Sequence, residues 1–167
     1  MTNKYVDHLL VLPEDDANRR LVNGFLLNIG VRYRRIQVLP EAHGWEYVMA
    51  ALQDPAVING LIAYPKRHLL LLIDFDDKVT VRLAGYADAV ASLPVAIRDR
   101  VYLLGSLKTP ERMRATCGLQ LEDIGKHLAS ECPPPPAGSL WSHAHMQQNA
   151  PELLRLVTQV QPFLFQA

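Results

Sequence analysis

The chain has 167 residues, enough for one domain with a full core and short for two. Its 17 basic and 17 acidic residues cancel to zero formal charge, which argues against a broad non-specific nucleic-acid surface while leaving room for a local basic patch. Two cysteines, Cys117 and Cys132, fit neither a disulfide scaffold nor a CxxC metal knuckle.

No uninterrupted apolar run, Leu69 to Ile73 included, approaches the roughly 20 residues that span a bilayer. The opening "MTNKYVDHLL" lacks the apolar stretch of a signal peptide, so the expectation is a cytoplasmic protein with no membrane partner.

In chain order, "KYVDHLLVL" (4–12) is rich in strand formers and stops at Pro13. Apolar residues at 17, 21, 22, 25, 26 and 29 then mark an amphipathic helix, with Glu14, Asp15 and Asp16 at its positive end and Gly30 at its stop. "VRYRRIQVL" (31–39) predicts a second strand, and "GWEYVMAALQD" (44–54) a helix limited by Pro55. "HLLLLID" (68–74) is the third strand, apolar on both faces as central parallel strands are.

Positions 79, 83, 86, 87, 90 and 91 form another helical stripe, ending before Pro94. "RVYLLGS" (100–106) is a fourth strand, and the remainder is helical: "PERMRAT", "LQLEDIGKHLASEC" and "APELLRLVTQVQPFL", separated by the proline run in "CPPPPAGS" (132–139). The alternation implies an α/β fold with a mainly parallel sheet of four or slightly more strands sandwiched by helices. The expected division is a core at residues 1–108 and a helical extension at 109–167 packing on the same domain.

In open α/β sheets ligands bind beyond the carboxyl ends of the strands. Two strand ends here carry clustered acids: Glu14, Asp15 and Asp16 in "VLPEDD", and Asp74, Asp76 and Asp77 in "LIDFDD". If the two strands are neighbours, the acids meet in one crevice. Mg²⁺ prefers oxygen ligands, with one or two carboxylates completed by water and phosphate. An extended backbone would put Asp74 and Asp76 on one side and Asp77 on the other. Helix capping alone also accounts for acids at such positions, and it is the co-occurrence at two strand ends that favours function.

With Glu14 after the first strand and Asp74-x-Asp76 after the third, the chain resembles the small stand-alone Toprim-like proteins of prokaryotes, over about residues 4–106. The resemblance implies Mg²⁺ (or Mn²⁺) on Glu14, Asp74 and Asp76, with these three as catalytic residues of phosphodiester cleavage or another phosphoryl transfer on nucleic acid. It also implies a partner ATPase. Asp15 and Asp16 stand where the family often has Gly and a basic residue, so the alternative is a degenerate, non-catalytic binding module.

The opening "VLPEDDANRRLVNGFLLNIG" also resembles a response-regulator receiver domain, which would make Asp74 the phosphoacceptor and place Ser106 where that family has Ser or Thr. "LIDFDDKVT" is similar to the nucleophile motif of haloacid-dehalogenase-like phosphatases, though without that family's later acidic pair.

Lesser signals carry ordinary readings beside functional ones. His143 and His145 would share a face on a strand and could grip a transition metal, but would diverge on a helix. Arg32 and Arg34 could touch phosphate or line a solvated edge strand, and Arg19 and Arg20 could reach phosphate near Glu14 or pair with Asp15 or Asp16. No GxGxxG, Walker A or GxSxG pattern occurs.

Overall fold

The computed structural model describes residues 3–132 and 138–167, so the prolines at 133–136 lie outside the described residues. Four strands, β1 (His8–Pro13), β2 (Ile36–Val38), β3 (Arg67–Asp74) and β4 (Val101–Ser106), form one all-parallel sheet in the order β2-β1-β3-β4. The expected fold class is therefore the observed one. The order steps outward in opposite directions from β1 and β3, which makes the gap between their carboxyl ends the topological switch point.

Side chains alternate across the sheet and feed two cores. Leu9 and Val11 of β1, Leu70 of β3, and Tyr102 and Leu104 of β4 face one layer. That layer is built from α1 (Asp16–Leu26), α6 (Pro110–Cys117), α7 (Leu121–Ser130), α8 (Ala150–Gln159) and α9 (Gln161–Leu164). Leu69, Leu71 and Ile73 of β3, with Val101 and Leu103 of β4, face the other. There they meet α2 (Trp45–Gln53), α3 (Pro55–Ala63), α4 (Val79–Ala91) and α5 (Val95–Arg98). The two-sided burial of β3 explains its unbroken apolar run.

On the first layer α1 and α7 approach so closely that a Cβ on Gly24 would overlap the Glu122 carbonyl, and one on Gly125 the Leu21 carbonyl. Glycine is required at both positions by space rather than by dihedral angle.

Three local expectations change. Pro55 does not merely end a helix. Asp54 accepts a hydrogen bond from Ala56 N (2.8 Å) and opens α3 with Pro55 in its first turn. The second strand shrinks to three residues because Tyr33–Arg35 form a 3-10 turn, with Arg32 N donating to Leu164 O (2.8 Å) and Arg35 Nη1 to Asp7 O (3.0 Å). Arg32 and Arg34 are therefore not on a strand face. The last helix breaks at Val160, since Pro162 has no N–H and must sit in the first turn of a new helix, α9.

Among the described residues the outer edge of β4 is closed by side chains and not by a fifth strand. Asn149 accepts from Gly105 N (2.9 Å) and donates to Gly105 O (2.8 Å), and Glu152 Oε1 accepts from Leu103 N (3.0 Å). Gln148 also donates to Gly105 O (2.8 Å), and Arg155 Nη1 to Val101 O (3.3 Å). Side chains from residues 148–155 thus take the hydrogen bonds that an exposed edge would offer to another chain.

Asn149, 2% exposed, is the centre of that closure. Replacing it with Leu leaves Gly105 N–H without its partner, and is expected to lower stability by about 1–3 kcal/mol. Urea unfolding checks this; an unchanged midpoint would mean that water replaces the Asn149 contacts.

Candidate functional site

The crevice at the switch point is built by the residues just past β1 and β3. Glu14 N donates to Leu72 O (2.8 Å), extending the β1–β3 ladder, and the chain then turns into α1 with Asp15 as its N-cap. Asp15 Oδ1 accepts from Asn18 N (2.9 Å) and from Asn18 Nδ2 (3.0 Å). The Glu14 carbonyl accepts from His43 N (2.8 Å) and Gly44 N (3.2 Å), which pins the loop before α2 to the site.

Past Asp74 the chain dives so that Phe75, 1% exposed, enters the second core, with Phe75 N donating to Ser106 O (2.8 Å). Asp76 (φ 47°) and Asp77 (φ 58°) are consecutive left-handed residues. Asp tolerates that region better than most side chains, though at a cost. This turn overrides strand alternation, so Asp74 and Asp76 do not share a side as an extended chain would have them. The Asp74 carboxylate accepts from Asn18 Nδ2 (2.9 Å) and from Ser106 Oγ (3.4 Å), whereas Asp76 Oδ2 accepts from Arg82 Nη2 (2.6 Å).

Arg82 of α4 organises the remainder. Its Nη1 donates to the Asp74 carbonyl oxygen and lies 3.6 Å from Glu14 Oε2, and its guanidinium carbon sits 5.2 Å from the centre of the Trp45 ring. Glu14 Oε2 also accepts from Asp74 N (2.8 Å). Arg82 is 8% exposed and its Nε has no acceptor among the described residues. Glu14 and Asp76 thus converge on a cation, but the cation is a side chain of the protein. Glu14, Glu46, Arg82, Trp45, His43 and Lys78 are among the residues that line a cleft of about 420 Å³.

Burial raises the Asp74 carboxyl to about 7, against the opposing hydrogen bond from Asn18, with Asp15, Glu14 and Asp76 adding repulsion. Burial also raises Glu14, while the Asp74 N–H and Arg82 pull it down. The site is therefore a place where desolvation, more than pairing, sets protonation.

The three expected ligands are neighbours, but Glu14 and Asp76 share Arg82 while Asp74 turns to Asn18 and Ser106. Among the described residues no group of three or more His, Cys, Asp or Glu is placed to hold a metal ion. Asp77 lies apart, 3.7 Å from Lys108 Nζ. Arg19 pairs with Asp16 (2.5 Å) and Glu41 (3.0 Å), and Arg20 with Glu122 (2.7 Å), so ion pairing accounts for both. His143 and His145 stack with ring centres 5.3 Å apart on an irregular segment, not on a strand.

Sequence reasoning passed over Arg82 and Asn18. Both had a signal: each is a polar side chain at a core-facing position of an apolar helical stripe, Arg82 between Val79 and Tyr86 and Asn18 between Ala17 and Leu21.

The raised Asp74 value fixes a sign. Between its ordinary 3.8 and about 7 the folded chain keeps this proton and the unfolded chain releases it. The contribution to stability is full below 3.8 and is lost as pH rises to about 7. Compared with Asp74→Asn, wild type is expected to lose roughly 2–4 kcal/mol between pH 4 and pH 7.5. Urea unfolding of both proteins across that range checks it; parallel profiles would place the Asp74 value near its ordinary one. Comparison of the chain with protein-family models, with curated proteins and with solved structures found no match.

Proposed function

We propose that the chain is a non-catalytic, regulatory binding module of receiver-like type, whose β1/β3 crevice engages a phosphoryl or similar oxyanion group without a resident divalent ion. The observation that carries this reading is the Arg82 guanidinium between Glu14 and Asp76, where a metal-dependent site would put its ion. The Arg82 guanidinium, whose Nε has no acceptor among the described residues, lines the open cleft with Lys78 and supports an oxyanion ligand against the opposing Glu14 and Glu46 carboxylates. The Asp74 carboxylate beside Ser106, at the ends of adjacent strands, makes Asp74 the acceptor if a covalent phosphoryl group is taken.

A second reading is metal-dependent phosphoryl transfer on nucleic acid by a Toprim-like site, with Mg²⁺ or Mn²⁺ on Glu14, Asp74 and Asp76 and with an ATPase as partner. It is favoured by the pairing of β1 with β3 and by the 2.8 Å contact between Glu14 Oε2 and Asp74 N, which puts the two acidic strand ends in one crevice. It requires Arg82 to leave its partners when the ion arrives, because two cations in that space would repel.

Calorimetric titration of wild type, Arg82→Ala and Asp74→Ala with MgCl₂ and MnCl₂, beside cleavage assays on single- and double-stranded DNA and RNA, separates the two. The binding-module reading expects no metal heat from wild type and weak Mn²⁺ binding once Arg82→Ala frees Glu14 and Asp76. It also expects no cleavage by any of the three. Metal binding by wild type with cleavage lost in Asp74→Ala would overturn it in favour of the nuclease. Beryllofluoride binding that requires Asp74 would identify the module as a phosphoacceptor.

A further inference from the structure

On the α1/α7 side of the sheet, beneath α8, lies a second cavity of about 120 Å³, walled almost wholly by carbon. Leu72 and Leu104 form its floor, Leu21 and Val22 one wall, and Leu153 and Val157 of α8 its roof. Protein interiors are close-packed, and a void forfeits the dispersion contacts of everything that lines it. Apolar cavities of roughly 150 Å³ stay dry and take up benzene-sized molecules.

The roof differs from an ordinary core helix. α8 is amphipathic, with Leu153, Leu156 and Val157 turned to the sheet side, yet none of its residues reaches full burial. It is held instead along its polar side, through the Glu152 and Arg155 contacts to β4. The helix is thus tethered at the sheet edge and leaves its apolar side incompletely filled beneath.

Asn18, 0% exposed, is one of the cavity's lining residues, and among the described residues its Oδ1 has no hydrogen-bond partner. The orientation of this amide is set by its other end: Nδ2 donates to Asp15 Oδ1 and to Asp74 Oδ1, and a flipped amide would set its oxygen against the Asp15 carboxylate. A buried acceptor without a donor is costly and uncommon. An apolar void with a single unsatisfied acceptor specifies a complementary ligand.

We infer that this cavity is a binding site for a small, single-ring apolar molecule that carries one hydroxyl or N–H donor, with the ring under α8 and the donor on Asn18 Oδ1. The site is separate from the Arg82 crevice and does not depend on the function assigned to that crevice.

Phenol and toluene are matched probes, one with the donor and one without. Thermal unfolding of the full chain with increasing phenol is expected to show a Tm rise of about 3–6 °C at tenfold excess over Kd. Phenol is expected to bind at least as tightly as toluene, although water solvates phenol better. In Val157→Phe, whose ring fills the space under α8, the phenol shift is expected to vanish while the protein stays folded by circular dichroism. If that variant does not fold, isotope-filtered NMR of bound phenol in wild type replaces it, with contacts expected to the methyl groups of Leu21, Leu72 and Val157. No shift with either probe, a shift with toluene alone, a shift that persists in a folded Val157→Phe, or phenol contacts elsewhere would each overturn the assignment.

Discussion

The structure turns on one buried guanidinium. Arg82 reaches from α4 to the carboxylates of Glu14 and Asp76 and to the carbonyl of Asp74, so it ties the ends of β1 and β3 to the helix that follows them. Removing a guanidinium from water is costly unless opposite charge and hydrogen bonds surround it, and here both do. The two left-handed aspartates fit that requirement. Asp76 can meet Arg82 only because the chain reverses sharply after Asp74, and that reversal also buries Phe75.

The same arrangement divides the acids by role. Asp74 points away from the guanidinium, toward Asn18 and Ser106, and sits where burial holds its proton to about 7. Glu14 is pulled both ways, by burial and by Arg82. Asn18 then joins two regions that would otherwise be independent, since it hydrogen-bonds Asp74 with its amide nitrogen and also lines the cavity under α8. The C-terminal segment completes the domain by closing β4 with side chains, so residues 148–155 are structural parts of the sheet although they form no strand.

Much of this fold was legible in the sequence. The runs at 68–74 and 100–106 became β3 and β4 almost residue for residue, because two-sided burial leaves an unmistakable apolar pattern. The pairing of β1 with β3 brings their two acidic ends into one crevice, as clustered acids at neighbouring strand ends require. The short β2 was less legible, since tertiary contacts from the C-terminus and from Asp7 decide where the 3-10 turn stops. The candidate site was half legible: motif spacing singled out Glu14, Asp74 and Asp76, but strand alternation misdirected Asp76, because nothing local announces two successive left-handed residues. The cation shows in the sequence as the lone basic residue among the core-facing positions of α4, but acids at two strand ends imply an external ion as readily as an internal one.

Arg82 acts as the cation of its own acidic cluster, and a double-mutant cycle measures that directly. Stability would be determined for Arg82→Met, Glu14→Gln and the pair, at a pH above 7.5. A coupling energy of at least about 1 kcal/mol, with the double variant less damaged than the two single losses sum to, is the expected result. Additive losses would contradict it, and would return the space between Glu14 and Asp76 to a cation from solution.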